Sequence, residues 1–181
     1  MTRTMFALAG CALVLLLHSP GLAQRQHDSL TNPEIDQLRD TALEPNLRLK
    51  LYVQFARARL ASLEQARSDP KVTDRGQETH DRLQEFLDVY DEMNDNIDTY
   101  VGRKSDLRKV LKTVIEADTE FQAKIRALKD AANTAKDEAK QYEFLLSTAL
   151  ETLDRSAQDH RQLLTEQEED AKQKKLAKQK H

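Results

Sequence analysis

The chain of 181 residues has one cysteine, four glycines, four prolines and no tryptophan, and aromatic residues make up only 5% of it. A single cysteine excludes a disulfide scaffold. Eight glycines and prolines together are too few for a collagen-like chain or for the turns of a sheet-rich fold. The apolar run of 13 residues at 5–17 is shorter than the roughly 20 residues that a membrane-spanning helix needs. These absences favour an all-α protein.

The N-terminal segment has the features of a secretory signal. Arg3 is its only charged residue, the apolar run follows, and the small residues Gly21 and Ala23 come after it. A short positive start, an apolar stretch and small residues at −3 and −1 are typical of a cleaved signal peptide. We therefore predict a signal peptide over 1–23, cleavage after Ala23, and an extracytoplasmic location, periplasmic or secreted.

Cys11 closes a Leu-Ala-Gly-Cys sequence that has the residue types of a bacterial lipoprotein processing box. Such a box should end the apolar stretch, but here six further apolar residues, 12–17, follow the cysteine. We therefore do not expect a lipid anchor at Cys11. Cleavage after Ala23 leaves a chain without cysteine, which excludes thiol nucleophiles and iron–sulfur clusters.

The remainder predicts a flexible N-terminus over 24–32, a helical bundle domain over 33–170 and a basic C-terminal tail over 171–181. Thr31 before Pro33 suits the start of a short helix over 33–42. Apolar residues then recur at steps of three and four, which is the helical period. We predict long helices over about 45–67, 74–101, 104–131 and 136–168. Their core positions include Leu49, Val53, Leu60, Leu83, Leu87, Ile97, Leu111, Phe121, Leu146 and Leu153.

The boundaries in the second half leave two architectures open. Gly102 suits a left-handed residue after the third helix, and Ser105 suits the cap of the next. No glycine or proline follows Arg103, so one alternative is three main helices, the last of them a single helix roughly 100 Å long in a coiled coil. A break near 132–137, with Asn133 or Thr134 as the cap, gives four helices of similar length instead. The broad apolar stripes favour the antiparallel four-helix bundle.

Three polar residues fall on the predicted core lines. Asn94 lies between Tyr90 and Ile97, Asp118 occupies the same kind of position on the next helix, and His160 is in phase with the core of the last. A polar group in an apolar seam lowers stability but can fix register. If Asn94, Asp118 and His160 are buried together, they mark a polar layer and a ligand cavity. The alternative is that Asn94 and Asp118 turn towards the edge of the bundle.

Cofactor chemistry has little support in the sequence. Di-iron bundles place Glu three residues before His, but Gln77 precedes His80 and Ala157 precedes His160. Met93 with His160 is the one pair available for a non-covalent haem after export, and a methionine among apolar residues is usually part of the core. We find no Ser–His–Asp set and no glycine-rich phosphate loop. We therefore predict no catalytic, metal or cofactor site, and no enzyme activity.

The C-terminus is rich in lysine, with no acid after Asp170. Lysines at a helix end complement its negative pole, but the run continues further than that effect explains. Outside the cytoplasm, a flexible cationic tail suits docking on anionic lipid, lipopolysaccharide or cell-wall polymer. The candidate envelope-binding residues are Lys172, Lys174, Lys175, Lys178 and Lys180.

The leading functional hypothesis is an exported, non-enzymatic helical-bundle protein with a binding or scaffolding role in the periplasm or cell envelope. Its expected partner is a protein or an anionic envelope component, or a second copy of the chain. A net charge of −3 does not predict nucleic-acid binding. The alternatives are a carrier of a small molecule, metal or haem in the bundle interior, and a periplasmic chaperone-like stress protein.

Overall fold

The computed structural model describes residues 29–179, and this range contains six α-helices and no strand. The predicted signal peptide over 1–23, Cys11 and Lys180 lie outside the described residues. The all-α prediction is confirmed. The helices are α1 (Asn32–Asp40), α2 (Pro45–Ser68), α3 (Arg75–Gly102), α4 (Arg108–Thr134), α5 (Lys136–Ala139) and α6 (Glu143–Gln179).

Local capping explains where the first helices begin. The carboxylate of Glu34 accepts hydrogen bonds from the backbone nitrogen and the hydroxyl of Thr31, at 2.7 and 2.9 Å, and Pro33 lies in the first turn. The side chain of Asp74 accepts from the backbone nitrogen of Gln77 at 3.1 Å at the start of α3. The bonds from the backbone nitrogens of Thr31 and Gln77 satisfy donors that have no partner within their own helices.

The bundle is built from two antiparallel helix pairs. In the pair α2–α3, Arg48 near the start of α2 bonds to Asn96 near the end of α3, at 3.0 Å. In the pair α4–α6, Gln122 bonds to Asp154 at 2.8 Å. Both pairs bury broad apolar faces, as helices do when packing rather than propensity stabilises them.

The two pairs pack with parallel neighbours, α2 beside α4 and α3 beside α6. Arg57 bonds to Glu120 and Glu64 contacts Lys124, so α2 and α4 run in the same direction. Helix direction therefore alternates along the chain, but α3 and α4 lie across the diagonal of the bundle. A side chain that joins α3 to α4 must cross the core.

The chain breaks between α4 and α6, as the sequence predicted. Ala135 leaves helical geometry at φ −115° and ψ 56°, α5 forms a single turn, and residues 140–142 lead into α6. The hydroxyl of Thr134 turns back to the carbonyl oxygen of Ala131 at 2.7 Å. Such side-chain bonds compete with continuation of a helix. The alternative of one helix roughly 100 Å long is wrong.

The turn between α3 and α4 differs from the prediction. Gly102 is the last residue of α3 and has no positive φ; Lys104 instead takes the left-handed conformation, with φ 57°. Leu107 rather than Ser105 precedes the first residue of α4. The backbone nitrogen of Ser105 donates to the carbonyl of Tyr100 at 3.0 Å, which places the reversal two residues later than predicted.

The centre of the core is aromatic. The rings of Phe86 and Phe121 meet edge to face with centroids 5.4 Å apart, and Tyr90 lies against both. All three side chains are fully buried. These rings hold α3 and α4 together across the diagonal of the bundle.

The two ends of the described range both adjoin the bundle. Ser29 is buried, and its hydroxyl donates to Glu92 at 2.8 Å, so the chain already contacts the bundle at this residue. At the other end, α6 continues past residue 170 to Gln179, so the part of the predicted basic tail over 171–179 is helical. Lysine, glutamine, alanine and leucine are good helix formers, which explains the extension. No described helix has the length and apolar character needed to span a bilayer.

Candidate functional site

Asp118 lies at the centre of a buried hydrogen-bond network. Its side chain is fully buried, and its two oxygens have different partners. Tyr90 donates its hydroxyl to Oδ1 at 2.8 Å, and Nδ1 of His160 lies 2.9 Å from Oδ2. The alternative that Asp118 turns to the edge of the bundle is therefore wrong, because partners on α3 and α6 satisfy it inside.

The protonation of the network follows from the donor and acceptor capacity of its members. A carboxylate only accepts hydrogen bonds, so Nδ1 of His160 carries a hydrogen, and Nε2 is the acceptor whenever the ring is in its neutral form. Burial, followed by the charge of Asp118, raises the pKa of Tyr90 well above its usual value of 10.0. Tyr90 is therefore a protonated donor at neutral pH.

Asn94 joins the network through Ser156. Its Nδ2 donates to the hydroxyl of Ser156 at 3.1 Å, and Ser156 lies near Tyr90, where it acts to lower the pKa of the Tyr90 hydroxyl. The amide oxygen Oδ1 of Asn94 is buried and has no partner among the described residues. The structure thus brings Asp118 and His160 into direct contact and links Asn94 to them indirectly.

The sequence pattern does not identify Tyr90 and Ser156 as polar residues of this site. Tyr90 was assigned to the apolar core, which is correct for its ring but ignores its hydroxyl. Ser156 stands four residues before His160, and residues with this spacing lie on the same face of a helix. A serine one turn before a core histidine was therefore the signal that could have identified it.

A pocket of about 200 Å³ opens beside the network between the parallel helices α3 and α6. It is smaller than the roughly 300–1,000 Å³ of sites for drug-sized ligands. It suits only a small molecule. The lining residues are Asn94, Ile97, Asp98, Val101, Ser156, Asp159, His160 and Leu163.

The arrangement does not form a nucleophilic triad. A serine nucleophile must hydrogen-bond to the histidine that acts as its base, but the hydroxyl of Ser156 bonds to Asn94 and not to His160. Among residues 29–179, no group of three or more His, Cys, Asp and Glu side chains is arranged to hold a metal ion. Met93, the other member of the predicted haem pair, is fully buried among the core side chains.

The second candidate site is the end of α6. Gln167 fixes this helix to the α3–α4 turn: its Oε1 accepts from the backbone nitrogen of Leu107 at 2.9 Å, and its Nε2 donates to the carbonyl of Ser105 at 3.2 Å. The helix then continues to Gln179, about 18 Å further at 1.5 Å per residue. Residues 172–179 are all exposed. We call residues 171–179 the basic helix.

The lysines of the basic helix share one side. At about 100° per residue, Lys172, Lys174, Lys175 and Lys178 fall within an arc of roughly 160°. Leu176 lies just outside this arc and is 59% exposed. The last predicted member, Lys180, lies outside the described residues. The sequence therefore identified the lysines, and the structure places four of them on a helix.

The fold and the two sites define a class: an all-α helical-bundle protein with a buried Tyr–Asp–His network and a projecting basic helix. Comparison of the chain with family models, curated proteins and solved structures gave no match. Functional inference therefore depends on the geometry of the two sites.

Proposed function

We propose that this protein is an exported, non-enzymatic helical bundle with a binding or scaffolding role in the periplasm or cell envelope, and that its basic helix docks it on an anionic lipid surface. The observation that supports the proposal is that α6 continues past Gln167, which bonds to the α3–α4 turn, as far as Gln179 and carries four exposed lysines on this last stretch. Phosphate groups of lipid headgroups are the chemistry that such a surface recognises.

The expected docking is weak and reversible. Each lysine near an anionic surface contributes about 1 kcal/mol, so four of them give about 4 kcal/mol, which corresponds to a Kd of about 1 mM. A helix that is already formed loses less conformational freedom on binding than a flexible tail does. Leu176 adds apolar contact at the edge of the lysine arc.

Acidic residues near the start of the basic helix set its orientation. Glu166, Glu169 and Asp170 are exposed, and Glu168 pairs with Lys112 of α4 at 3.3 Å. These carboxylates are repelled by an anionic surface. The helix therefore approaches such a surface by its end, with the bundle held away from the lipid.

Export is tested separately. Expression of the complete chain in a bacterial host, followed by fractionation, should give a soluble extracytoplasmic form whose N-terminal sequence begins at Gln24. Recovery of the chain only in the cytoplasm with Met1 in place would contradict export. Processing at Cys11 would replace the proposal with a lipid-anchored form.

Docking is tested by co-sedimentation with vesicles. The protein should sediment with vesicles that contain phosphatidylglycerol and not with pure phosphatidylcholine, and added salt should release it. A variant with glutamine at the four lysines of the basic helix should lose binding. The matched control removes the same charge from the opposite end of the bundle by Lys→Gln at Lys71, Lys129, Lys136 and Lys140. Equal losses in the two variants would contradict a specific role of the basic helix.

A fluorescent reporter locates the contact. The chain has no tryptophan, so Leu176→Trp introduces a single indole beside the lysines. Its emission should shift to shorter wavelength on anionic vesicles. Phe144→Trp is the control, because Phe144 is 86% exposed at the start of α6, at the other end of the bundle. A shift at residue 144 and none at residue 176 would overturn the proposed orientation.

A further inference from the structure

We propose that the pocket between α3 and α6 binds a small organic ammonium ion, a short primary alkylammonium. We call this site the acceptor pocket, and it is independent of the basic helix. Its lining includes the amide of Asn94 and the imidazole of His160, and its two carboxylic side chains, Asp98 and Asp159, are acidic. A primary ammonium has three donors and no acceptor, as the lysine head group does.

The amide of Asn94 supplies the first acceptor. Its Nδ2 is committed to the hydroxyl of Ser156 at 3.1 Å, so its Oδ1 faces away from that bond. This oxygen is buried without a partner among the described residues. A buried polar atom left unpaired is destabilising by about 1–3 kcal/mol, and a donor from a ligand in the pocket would satisfy it.

His160 supplies the second acceptor. Its Nδ1 hydrogen is held by the buried carboxylate of Asp118, at 2.9 Å. This bond selects, for the neutral ring, the tautomer in which Nε2 carries a lone pair. His160 also lines the pocket. Asp118 is therefore a positioning residue for the site, although it does not itself line the pocket.

Two carboxylates give the pocket its negative charge. Asp98 on α3 and Asp159 on α6 are both exposed at its rim, and neither forms an ion pair within residues 29–179. No lysine or arginine lines the pocket. Ile97, Val101 and Leu163 complete the lining with apolar surface. Carboxylates at the rim and apolar walls select a cation that carries a short alkyl chain.

The volume limits the length of that chain. The pocket volume of about 200 Å³ is below the roughly 300–1,000 Å³ of sites for drug-sized ligands, so it suits a ligand of only a few non-hydrogen atoms. A chain of about four or five carbons with one ammonium fits this volume. n-Butylammonium is the probe of choice, and sodium butyrate at equal ionic strength is the matching anion.

The test uses the purified chain labelled with nitrogen-15. n-Butylammonium should give saturable shifts of backbone amides in 94–101 and 156–163, with a Kd near 1 mM, and butyrate should give none. The variant with Asp98→Asn and Asp159→Asn should bind at least tenfold more weakly. Both changes keep size and affect exposed residues. Asp95→Asn, an exposed residue of α3 outside the pocket, should bind as the unmodified chain does.

Asn94→Leu tests the amide oxygen directly. It removes the unpaired acceptor and should weaken binding severalfold, and its circular dichroism should show that the helices are retained. The proposal is overturned if no saturable shifts occur in these segments, or if the Asp98 and Asp159 variant binds as tightly as the Asp95 control. Equal shifts with butyrate would show apolar binding without selection of charge, which also overturns it.

Discussion

The hydroxyl of Tyr90 donates a 2.8 Å hydrogen bond to Oδ1 of Asp118 across the diagonal of the bundle, from α3 to α4. Oδ2 of the same carboxylate lies 2.9 Å from Nδ1 of His160 on α6. One buried side chain therefore connects three of the four long helices. A satisfied buried network of this kind specifies one arrangement of helices, since any other would leave its members unpaired.

Removal of the central carboxylate should be strongly destabilising. Asp118→Ala leaves the Tyr90 hydroxyl and Nδ1 of His160 buried without partners, and we expect a loss of about 3 kcal/mol in the free energy of unfolding. Tyr90→Phe removes one bond and keeps the ring, so its loss should be smaller, about 2 kcal/mol. Urea denaturation followed by circular dichroism measures both changes.

Asp95→Ala is the control, because it removes an aspartate that is exposed on α3. Its effect should stay within about 0.5 kcal/mol. A similar loss for Asp95→Ala and Asp118→Ala would show that helix propensity, and not the network, causes the change.

Replacing a buried aromatic residue by alanine should lower the free energy of unfolding far more than replacing an exposed one. Phe121→Ala removes a fully buried ring that packs on Phe86 and Tyr90. We expect a loss of about 3–5 kcal/mol. Phe144→Ala removes a ring that is 86% exposed, so the midpoint of urea unfolding should hardly move. Comparable midpoints for the two variants would contradict the assignment of Phe121 to the core.

Much of the fold could be predicted because its signals are local. Pro45 and the three-and-four spacing of apolar residues located α2 to within a residue of its observed end at Ser68. The break near Ala135 was also predicted, since Thr134 has a local alternative to helical bonding. The turn at Lys104 was not predicted, because lysine does not favour the left-handed conformation that it adopts there. The connection from α3 to α4 imposes this conformation.

The site was predictable only in part, for a different reason. Asn94, Asp118 and His160 were found because a polar residue on an apolar line is visible in sequence. Whether Asp118 faces inward depends on Tyr90 and His160, which lie 28 and 42 residues away along the chain. Periodicity carries no information about pairing over such distances. The diagonal position of α3 and α4, which brings these residues together, was also not encoded locally.

The carboxyl of Asp106 should titrate at unusually low pH. Hydrogen bonds from the guanidinium of Arg108, at 2.6 and 2.9 Å, lower the pKa of Asp106 from 3.8 to about 2. A lowered pKa in the folded state stabilises the fold above pH 4, and this contribution disappears as the pH falls from about 4 to about 2. The contribution is small, because the Asp106 side chain is 62% exposed and solvent screens the pair.

Carbon-13 NMR of the side-chain carboxyl measures this titration directly. Arg108→Gln should return the pKa of Asp106 most of the way towards 3.8. Arg103→Gln, in the same turn but without a bond to Asp106, should leave it low. An unchanged titration in Arg108→Gln would show that another group holds the carboxyl ionised.

The two glycines of α3 should respond in opposite directions to alanine. A Cβ at Gly76 would lie 2.8 Å from the side chain of Gln141 and 2.9 Å from the backbone oxygen of Glu138, and a backbone atom cannot easily move aside. At Gly102 a Cβ would meet nothing within 4 Å. Gly76→Ala should therefore lower the free energy of unfolding by about 1–3 kcal/mol, as overpacking does.

Gly102→Ala should raise that free energy by about 0.5 kcal/mol, because alanine has the higher helix propensity and its unfolded state has less freedom. Thermal unfolding of the two variants, measured in parallel, tests both expected changes in stability. Stabilisation by Gly76→Ala would mean that the α5 turn does not pack on the start of α3. Gly76 lies against Glu138 and Gln141, which follow the break at Ala135. Without that packing, only local hydrogen bonds would stabilise the break.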